Sequence, residues 1–282
     1  MEKLTSPKVI DTLLKKYDLH FNKRYGQNFL IDENIVERIA SAGNLTKDDT
    51  VLEIGPGIGT LTQALAHKAS RVISVEIDKK LLPVLAETLA DYDNVTVIQG
   101  DILKTDLSPY LPTDKPFKIV ANLPYYITTP IIMKFLEEDW PVDTMTFLIQ
   151  KEVGERLCAE PGTKAYGSLT IAAQFYAELS TDFYVSAGVF MPKPKVDSIV
   201  VTLTRRQTPA HNLSDKALFF KVVRAAFLNR RKTLINSLSA NLNFSKDALL
   251  AALSVCEIEP NIRGEKLTGA DFARLANQLA ML

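Results

Sequence analysis

A polar and aromatic cluster, Asn122-Leu123-Pro124-Tyr125, directly follows a largely apolar run at residues 118–121. The run predicts a short buried strand, and open α/β sheets bind their ligands at the carboxyl ends of strands. Pro124 has no N–H and biases Leu123 toward an extended conformation, so the turn presents carbonyl groups. Together with the Asn122 side-chain carbonyl and the Tyr125 ring, this turn suits a flat group with an exocyclic amine, such as adenine. The alternative is an ordinary strand-ending turn with the tyrosine in the core.

A glycine-rich turn lies between a predicted strand, residues 51–54, and a predicted helix. Gly55, Gly57 and Gly59 let the backbone approach a ligand closely and leave helix-start N–H groups for its polar atoms. Glu76 ends the next predicted strand, 21 positions after Gly55, where an acidic residue is expected to bind ribose hydroxyls. These features indicate a nucleoside site. The spacing is G-x-G-x-G and differs from the G-x-G-x-x-G of dinucleotide sites, which disfavours a nicotinamide dehydrogenase.

Strands and helices alternate as far as Gln150, which predicts a mostly parallel sheet covered by helices on both faces. Asp101 follows the third predicted strand, where its carboxylate either accepts a hydrogen bond from an adenine amine or caps a turn. Two later strands around a proline-lysine loop, residues 190–198, predict an antiparallel hairpin at the sheet edge. In that loop, Phe190 is either a buried anchor or a second aromatic face over a base. From Thr208 the pattern is all helical.

The composition is that of a soluble globular protein, with 282 residues, 46% hydrophobic and 23% charged. No apolar run approaches the roughly 18 residues of a membrane span, and the first residues lack a signal-peptide pattern, so we expect a cytoplasmic protein. Cys158 and Cys256 are far apart and lie in no metal-binding pattern, so we expect neither a disulfide nor a metal site.

The sequence predicts three parts in the chain: a helix and capping loop over 1–30, a main domain over 31–207 and a helical domain over 208–282.

The formal net charge is zero, but the basic residues cluster in the sequence. Residues 205–232 contain eight Lys or Arg against a single acid, and residues 1–28 are also basic. These segments either face a phosphate backbone or form solvated helix faces. The candidate RNA-binding residues are Lys23, Arg24, Lys193, Lys195, Arg224, Arg230, Arg231 and Lys232.

Five motifs in order, namely GQNFL at 26–30, EIGPG at 53–57 with Glu76, Asp101, NLPY at 122–125 and FMPKPKVDS at 190–198, resemble the ribosomal RNA adenine dimethyltransferase family. The resemblance extends over nearly the whole chain. It implies a Rossmann-like class I methyltransferase sheet with a small helical C-terminal domain, and S-adenosylmethionine as the cofactor. It also implies dimethylation of N6 of two adjacent adenosines in the 3′-terminal hairpin of 16S rRNA, in the small ribosomal subunit or its precursor.

Residue roles follow from the resemblance. The implied cofactor contacts are Asn28, Leu30, Gly55, Glu76, Asp101 and Asn122. At the catalytic site, Asn122 and the Leu123 carbonyl would accept the hydrogens of the target amine next to Pro124, while Tyr125 and Phe190 would stack on the base. We expect the face of the Tyr125 ring to matter more than its hydroxyl.

One departure and two alternatives qualify the resemblance. Tyr126 stands where members often have asparagine, which leaves the role of that asparagine open. The first alternative is an erythromycin-resistance enzyme that acts on 23S rRNA, and Leu123 and the neutral net charge disfavour it. The second is an rRNA-binding assembly factor for which methylation is secondary. In each case we expect a monomer that needs neither a membrane nor a metal.

Overall fold

The computed structural model of the protein describes residues 3–21 and 25–282. Lys23 and Arg24 lie outside the described residues. The strands are β1 (Phe29–Leu30), β2 (Thr50–Ile54), β3 (Arg71–Glu76), β4 (Val95–Gln99), β5 (Phe117–Asn122), β6 (Val142–Gln150), β7 (Ala177–Val185), β8 (Phe190–Met191) and β9 (Ser198–Arg205). The helices are α1 (Pro7–Lys16), α2 (Glu33–Ala42), α3 (Thr60–Lys68), α4 (Leu82–Thr88), α5 (Thr128–Glu137), α6 (Lys151–Leu157), α7 (Ser168–Tyr176), α8 (Lys216–Leu228), α9 (Leu234–Asn241), α10 (Lys246–Val255) and α11 (Gly269–Leu279).

Seven strands form one sheet in the order β4-β3-β2-β5-β6-β9-β7. The pairs β3–β4, β2–β3, β2–β5 and β5–β6 are parallel, whereas β9 pairs antiparallel with β6. The predicted mostly parallel sheet with a late antiparallel part is therefore confirmed. Strands β3 and β4 follow β2 toward one edge of the sheet, and β5 then pairs with β2 on its other side. The carboxyl ends of β2 and β5 therefore border the crevice where such sheets bind ligands.

The central strands are buried along their length because helices cover them. Every residue of β2 is buried, and so are five of the six residues of β3. This continuous burial is typical of parallel strands packed on both faces. Aspartate favours the position before a helix, and the sequence predicts that Asp32 caps one. Asp32 does cap α2, since its carboxylate accepts a hydrogen bond from the backbone N–H of Ile35.

Some predicted boundaries were wrong. The sequence predicts one helix over residues 79–89, whereas the structure has a 3₁₀ turn, Lys79–Leu81, followed by α4. Pro83 in the first turn of α4 needs no hydrogen-bond partner for its nitrogen. The sequence also predicts a helix over residues 168–179, but α7 ends at Tyr176, where β7 begins. A two-stranded antiparallel ladder between β1 and β8 was not predicted. Its strands are two residues each, too short to give a periodic pattern.

The chain divides into two compact units. The first contains the chain up to Gly154 and Leu179–Arg205, and the second contains Glu155–Glu178 and Arg206–Leu282. In the second unit, α8 packs against α9 and α11, and α10 packs against α9 and α11. None of the helices in the described part of the chain is both long and apolar enough to cross a membrane.

Candidate functional site

A cleft opens at the carboxyl ends of β2, β3 and β5. Its walls combine polar and apolar residues from four segments that are distant in the sequence. The lining residues include Asn28, Leu30, Gly55, Glu76, Asn122, Leu123, Pro124 and Tyr125. The structure therefore brings together all but two of the predicted catalytic and cofactor residues, the exceptions being Asp101 and Phe190.

The glycine turn forms the floor of this cleft. Gly55 has a φ of +71°, and a Cβ built on it would meet no atom within 4 Å, so this backbone faces open space. Gly57 has a φ of +64°, and a Cβ there would come within 3.1 Å of the Phe29 ring. The next helix, α3, starts at Thr60, whose hydroxyl is buried and has no hydrogen-bond partner among the described residues. A small polar ligand would find backbone N–H groups and an unsatisfied hydroxyl here.

Two buried glutamates stand beside the turn. Glu76 is 4% exposed, and its carboxylate accepts hydrogen bonds from the backbone N–H groups of Gly57 at 3.2 Å and Asp78 at 2.8 Å. Glu53 is 1% exposed and accepts a hydrogen bond from the Ser74 hydroxyl at 2.8 Å. Burial raises the pKa of each carboxyl to about 7. Both carboxyls therefore change their charge near neutral pH, and a ligand that donates hydrogen bonds favours the ionised form.

Asp101 lies at a neighbouring, more apolar cavity that shares Gly55, Ile77 and Pro124 with the first. Its Oδ1 accepts a hydrogen bond from the backbone N–H of Leu103 at 3.0 Å, so Asp101 does cap a turn. The two roles that the sequence left open are compatible, since the residue also lines the cavity. A largely apolar lining that includes one carboxylate suits a nucleobase with an amine.

The segment that follows Tyr25 covers one side of the cleft. Gln27 donates from its Nε2 to Asp78 Oδ2 at 2.9 Å, and Asn28 donates from its Nδ2 to the Gly26 carbonyl at 3.0 Å. Leu30 is buried and pairs with Phe190 in the β1–β8 ladder. The capping segment is thus held at Asp78 on one side and at β8 on the other.

The turn after β5 leaves two acceptors available. Asn122 donates from its Nδ2 to the Asn28 carbonyl at 3.2 Å, so its Oδ1 lies on the opposite side of the amide. The Pro124 carbonyl accepts from the Ile127 N–H and the Thr128 hydroxyl, each at 3.2 Å. The Leu123 N–H donates to Leu148, whereas the Leu123 carbonyl and Asn122 Oδ1 have no donor among residues 3–21 and 25–282. These two oxygens match the predicted pair of acceptors for an amine.

The two predicted aromatic faces differ in accessibility. Tyr125 is half-buried and lines the cleft, and its hydroxyl is hydrogen-bonded to that of Ser198 at 2.7 Å. Burial raises the pKa of the Tyr125 phenol, and the nearby Asp197 raises it further, so the group stays neutral. Phe190 is 3% exposed and packs in a core cluster with Leu30. Phe190 is therefore buried in this structure, where it pairs with Leu30 in the β1–β8 ladder.

The candidate RNA-binding side chains that the structure describes are exposed, namely Lys193, Lys195, Arg224, Arg230, Arg231 and Lys232. None of these six forms an ion pair with a described residue. Arg230 nevertheless donates from its Nη2 to the carbonyls of Lys164 and Tyr166, both at 2.8 Å. It therefore fixes a loop, whereas the side chains of Arg231 and Lys232 make no hydrogen bond to a residue that the structure describes. At the other end of the chain, Lys3 and Lys16 pair with Glu33 and Glu87, which reduces the positive charge of the N-terminal segment.

Sequence reasoning missed four residues at the site. Glu53 and Gln27 line the cleft within motifs that the sequence analysis singled out, but neither was assigned a role. Thr60 carries a signal in its position, since it starts the helix after a glycine turn. Ser198 ends the motif at 190–198, but the sequence does not show its contact with Tyr125, because the two residues are 73 positions apart.

Comparisons with known proteins agree with this geometry. The chain matches the family described as ribosomal RNA adenine dimethylase over residues 4–281. It is 48% identical over 285 residues to the ribosomal RNA small subunit methyltransferase A of Listeria innocua, with 98% of this chain and 97% of the relative covered. The protein of the same name from Alkaliphilus metalliredigens is also 48% identical, with 99% of each chain covered.

Two solved structures share the fold. A dimethyladenosine transferase from Plasmodium falciparum superposes with a TM-score of 0.75 at 28% identity, covering 88% of this chain and 95% of that chain. The 23S rRNA methyltransferase ErmE superposes with a TM-score of 0.69 at 30% identity, covering 90% of this chain and 100% of that chain.

Proposed function

Because the chain belongs to the ribosomal RNA adenine dimethylase family, we propose that it dimethylates N6 of two adjacent adenosines in the 3′-terminal hairpin of 16S rRNA. The methyl donor is S-adenosylmethionine, and the substrate is the small ribosomal subunit or its precursor, in the cytoplasm. The observation that carries the proposal is a pair of oxygens, Asn122 Oδ1 and the Leu123 carbonyl, which accept no hydrogen bond from a described residue and lie in one cleft with the glycine turn and Glu76.

The residues of the cleft fit the cofactor. Glu76 would accept from the ribose hydroxyls, and Asp101 would accept from the adenine amine in the more apolar cavity. Gly55 faces open space, so the ligand can approach the backbone. The Thr60 hydroxyl, which has no hydrogen-bond partner in the described part of the chain, would pair with a polar group of the methionine part. Asn28 and Leu30 would cover the ligand from the capping segment. When bound, S-adenosylmethionine supplies an electrophilic methyl group on its sulfonium.

The protein's part in the chemistry is to orient the target amine. The lone pair of an aryl amine is delocalised into its ring, which makes the nitrogen a weak nucleophile. In the first transfer, Asn122 Oδ1 and the Leu123 carbonyl would each accept one N–H, which favours a more pyramidal nitrogen with its lone pair directed at the methyl carbon. In the second transfer the amine has a single N–H left, and one of the two oxygens would accept it. The acceptors act through position and electrostatics, and the proton that the amine loses passes to water. Because the two carbonyl oxygens accept hydrogen bonds and do not take up the proton, this mechanism needs no side chain with a shifted pKa as a base.

The base itself must leave its stack to reach these acceptors, at a cost of a few kcal/mol. Tyr125 lines the cleft beside them and would offer its ring to the extruded adenine. Phe190 is covered in this structure, so the stacking role that the resemblance implies for it requires the β1–β8 region to move away from the ring. Tyr125 is therefore the aromatic contact that we assign first.

The degree of similarity favours the small subunit as the substrate. Relatives named small subunit methyltransferase A are 48% identical to this chain over nearly their full length, whereas ErmE is 30% identical. The exposed basic residues Lys193, Lys195, Arg224, Arg231 and Lys232 would contact RNA phosphates, together with Lys23 and Arg24. These contacts serve a methyltransferase and an assembly factor equally well, so binding alone does not separate the two.

Methyl transfer to defined particles tests the proposal. The purified protein receives labelled S-adenosylmethionine with small-subunit particles that lack the modification, or with 23S rRNA, and the modified nucleosides are identified and mapped. We expect N6,N6-dimethyladenosine at two adjacent positions of the 3′-terminal hairpin of 16S rRNA. Modification of 23S rRNA alone would assign the chain to the resistance type. Tight binding to small-subunit particles without transfer would leave only the assembly role.

A further inference from the structure

Ser198 lies beneath the candidate base site and has no assigned role. It is the first residue of β9, is 0% exposed, and its hydroxyl makes a hydrogen bond with the Tyr125 hydroxyl at 2.7 Å. The bond joins the turn that carries the two amine acceptors to the strand that follows the proline-lysine loop. No other hydrogen bond of either hydroxyl occurs among the described residues.

The backbone around Ser198 is fixed from several sides. Ser198 lies opposite Gln150 in the β6–β9 ladder. The preceding residue, Asp197, accepts from the Lys151 N–H at its carbonyl and from the Ala187 N–H at Oδ1. A hydroxyl held in this way is a rigid anchor, and the phenol that it binds loses the freedom to swing about its side-chain torsions.

We propose that Ser198 is a positioning residue that fixes the ring of Tyr125, so that an adenine stacked on this ring presents its amine to Asn122 Oδ1 and the Leu123 carbonyl. The inference rests on the proposed function. It also revises the expectation that only the face of the Tyr125 ring matters, because the hydroxyl determines where that face lies. A base displaced by about 1 Å reacts up to 100-fold more slowly, so a modest loss of order in the ring lowers the rate of transfer more than the affinity for RNA.

A double-mutant cycle tests the pair. Ser198→Ala and Tyr125→Phe each remove one hydroxyl and keep the rest of the side chain, and we expect each to lower the single-turnover rate of methyl transfer by about five-fold. The double variant should be no slower than either single variant, because both remove the same bond. The concentration of small-subunit particles at half-saturation should stay at the parental value.

Thr146→Val is the matched control. Thr146 is also fully buried, on β6, and its hydroxyl pairs with that of Thr202 on β9 at 3.0 Å, but it does not line the cleft. We expect this variant to lose thermal stability and to keep the parental rate. A general role of Ser198 in the sheet would instead make Ser198→Ala behave like Thr146→Val.

The assignment would be overturned by a parental rate in Ser198→Ala, or by a double variant whose loss is the product of the two single losses. The four proteins are also assayed on 23S rRNA. If the parent acts there alone, the proposed substrate is wrong, and the rates of the variants on that RNA still decide the role of Ser198.

Discussion

The pH dependence of cofactor binding provides a direct test of the role of Glu76. Burial raises the pKa of this carboxyl to about 7 in the absence of a ligand. Ribose hydroxyls donate hydrogen bonds, so S-adenosylmethionine should bind to the ionised form, and the protonated form must release its proton first. We therefore expect the affinity to be nearly constant above pH 7 and to fall as the pH drops below 7.

The size of the effect follows from the pKa. With a pKa of about 7, only about a tenth of the protein carries an ionised Glu76 at pH 6, so the dissociation constant at pH 6 should be about ten-fold higher than at pH 8. Glu76→Gln should bind the cofactor more weakly than the parent at pH 8, by about 1–3 kcal/mol, and the difference should be smaller at pH 6, where most of the parent is protonated at this position. Its affinity should no longer change with pH through this group.

Calorimetric titration of S-adenosylmethionine at pH 6 and pH 8, in two buffers of different ionisation enthalpy, measures both the affinity and the protons released. Glu53→Gln is the control, because Glu53 lines the same cleft and its pKa is also raised to about 7. We expect this variant to retain the pH dependence. Equal affinity of the parent at both pH values, or a parental pH dependence in Glu76→Gln, would refute the assignment of Glu76 to the ribose.

Three further predictions concern single groups. Asn122→Ala should slow methyl transfer by about 100-fold or more while RNA binding remains, because it removes an acceptor that acts in the transition state; full dimethylation at the parental rate would exclude this mechanism. Glu53→Gln should raise the melting temperature of the cofactor-free protein more at pH 8 than at pH 5. The buried charge of Glu53 destabilises the fold fully above the folded pKa of about 7, and this cost disappears as the pH falls toward the ordinary pKa of 4.5. A larger gain at pH 5 would contradict this. Replacing Arg231 and Lys232 by alanine should reduce the slope of the logarithm of RNA affinity against the logarithm of salt concentration, by somewhat under one unit per lost contact. Arg230→Ala should mainly lower the melting temperature. An unchanged slope in the double variant would show that Arg231 and Lys232 are only solvated.

The alternation of strands and helices was predictable because each element has its own local signal. Apolar runs, the glycine turn and the Asp32 cap are all read within a few neighbouring residues, and a right-handed parallel arrangement follows from them. The two-residue ladder between β1 and β8 has no such signal, since it depends on a pairing across most of the chain. The sequence does not show the division at Gly154 either. This division falls within α6, and the sequence patterns of α6 and α7 do not indicate which of the two units each helix packs in.

At the site, the residue types were predictable and their mutual hydrogen bonds were not. The sequence indicates that the turn after β5 is rich in acceptors, but it does not show which of them remain available. That depends on the bond from Asn122 Nδ2 to the Asn28 carbonyl, which spans 94 positions, and on the use of the Pro124 carbonyl by α5. Once these bonds are formed, Asn122 Oδ1 and the Leu123 carbonyl are the oxygens of this turn that no donor among the described residues uses. Under the proposed function, the capping segment would therefore orient the Asn122 amide as well as cover the cofactor, so a change at Asn28 that moves its carbonyl should affect methyl transfer in addition to cofactor affinity.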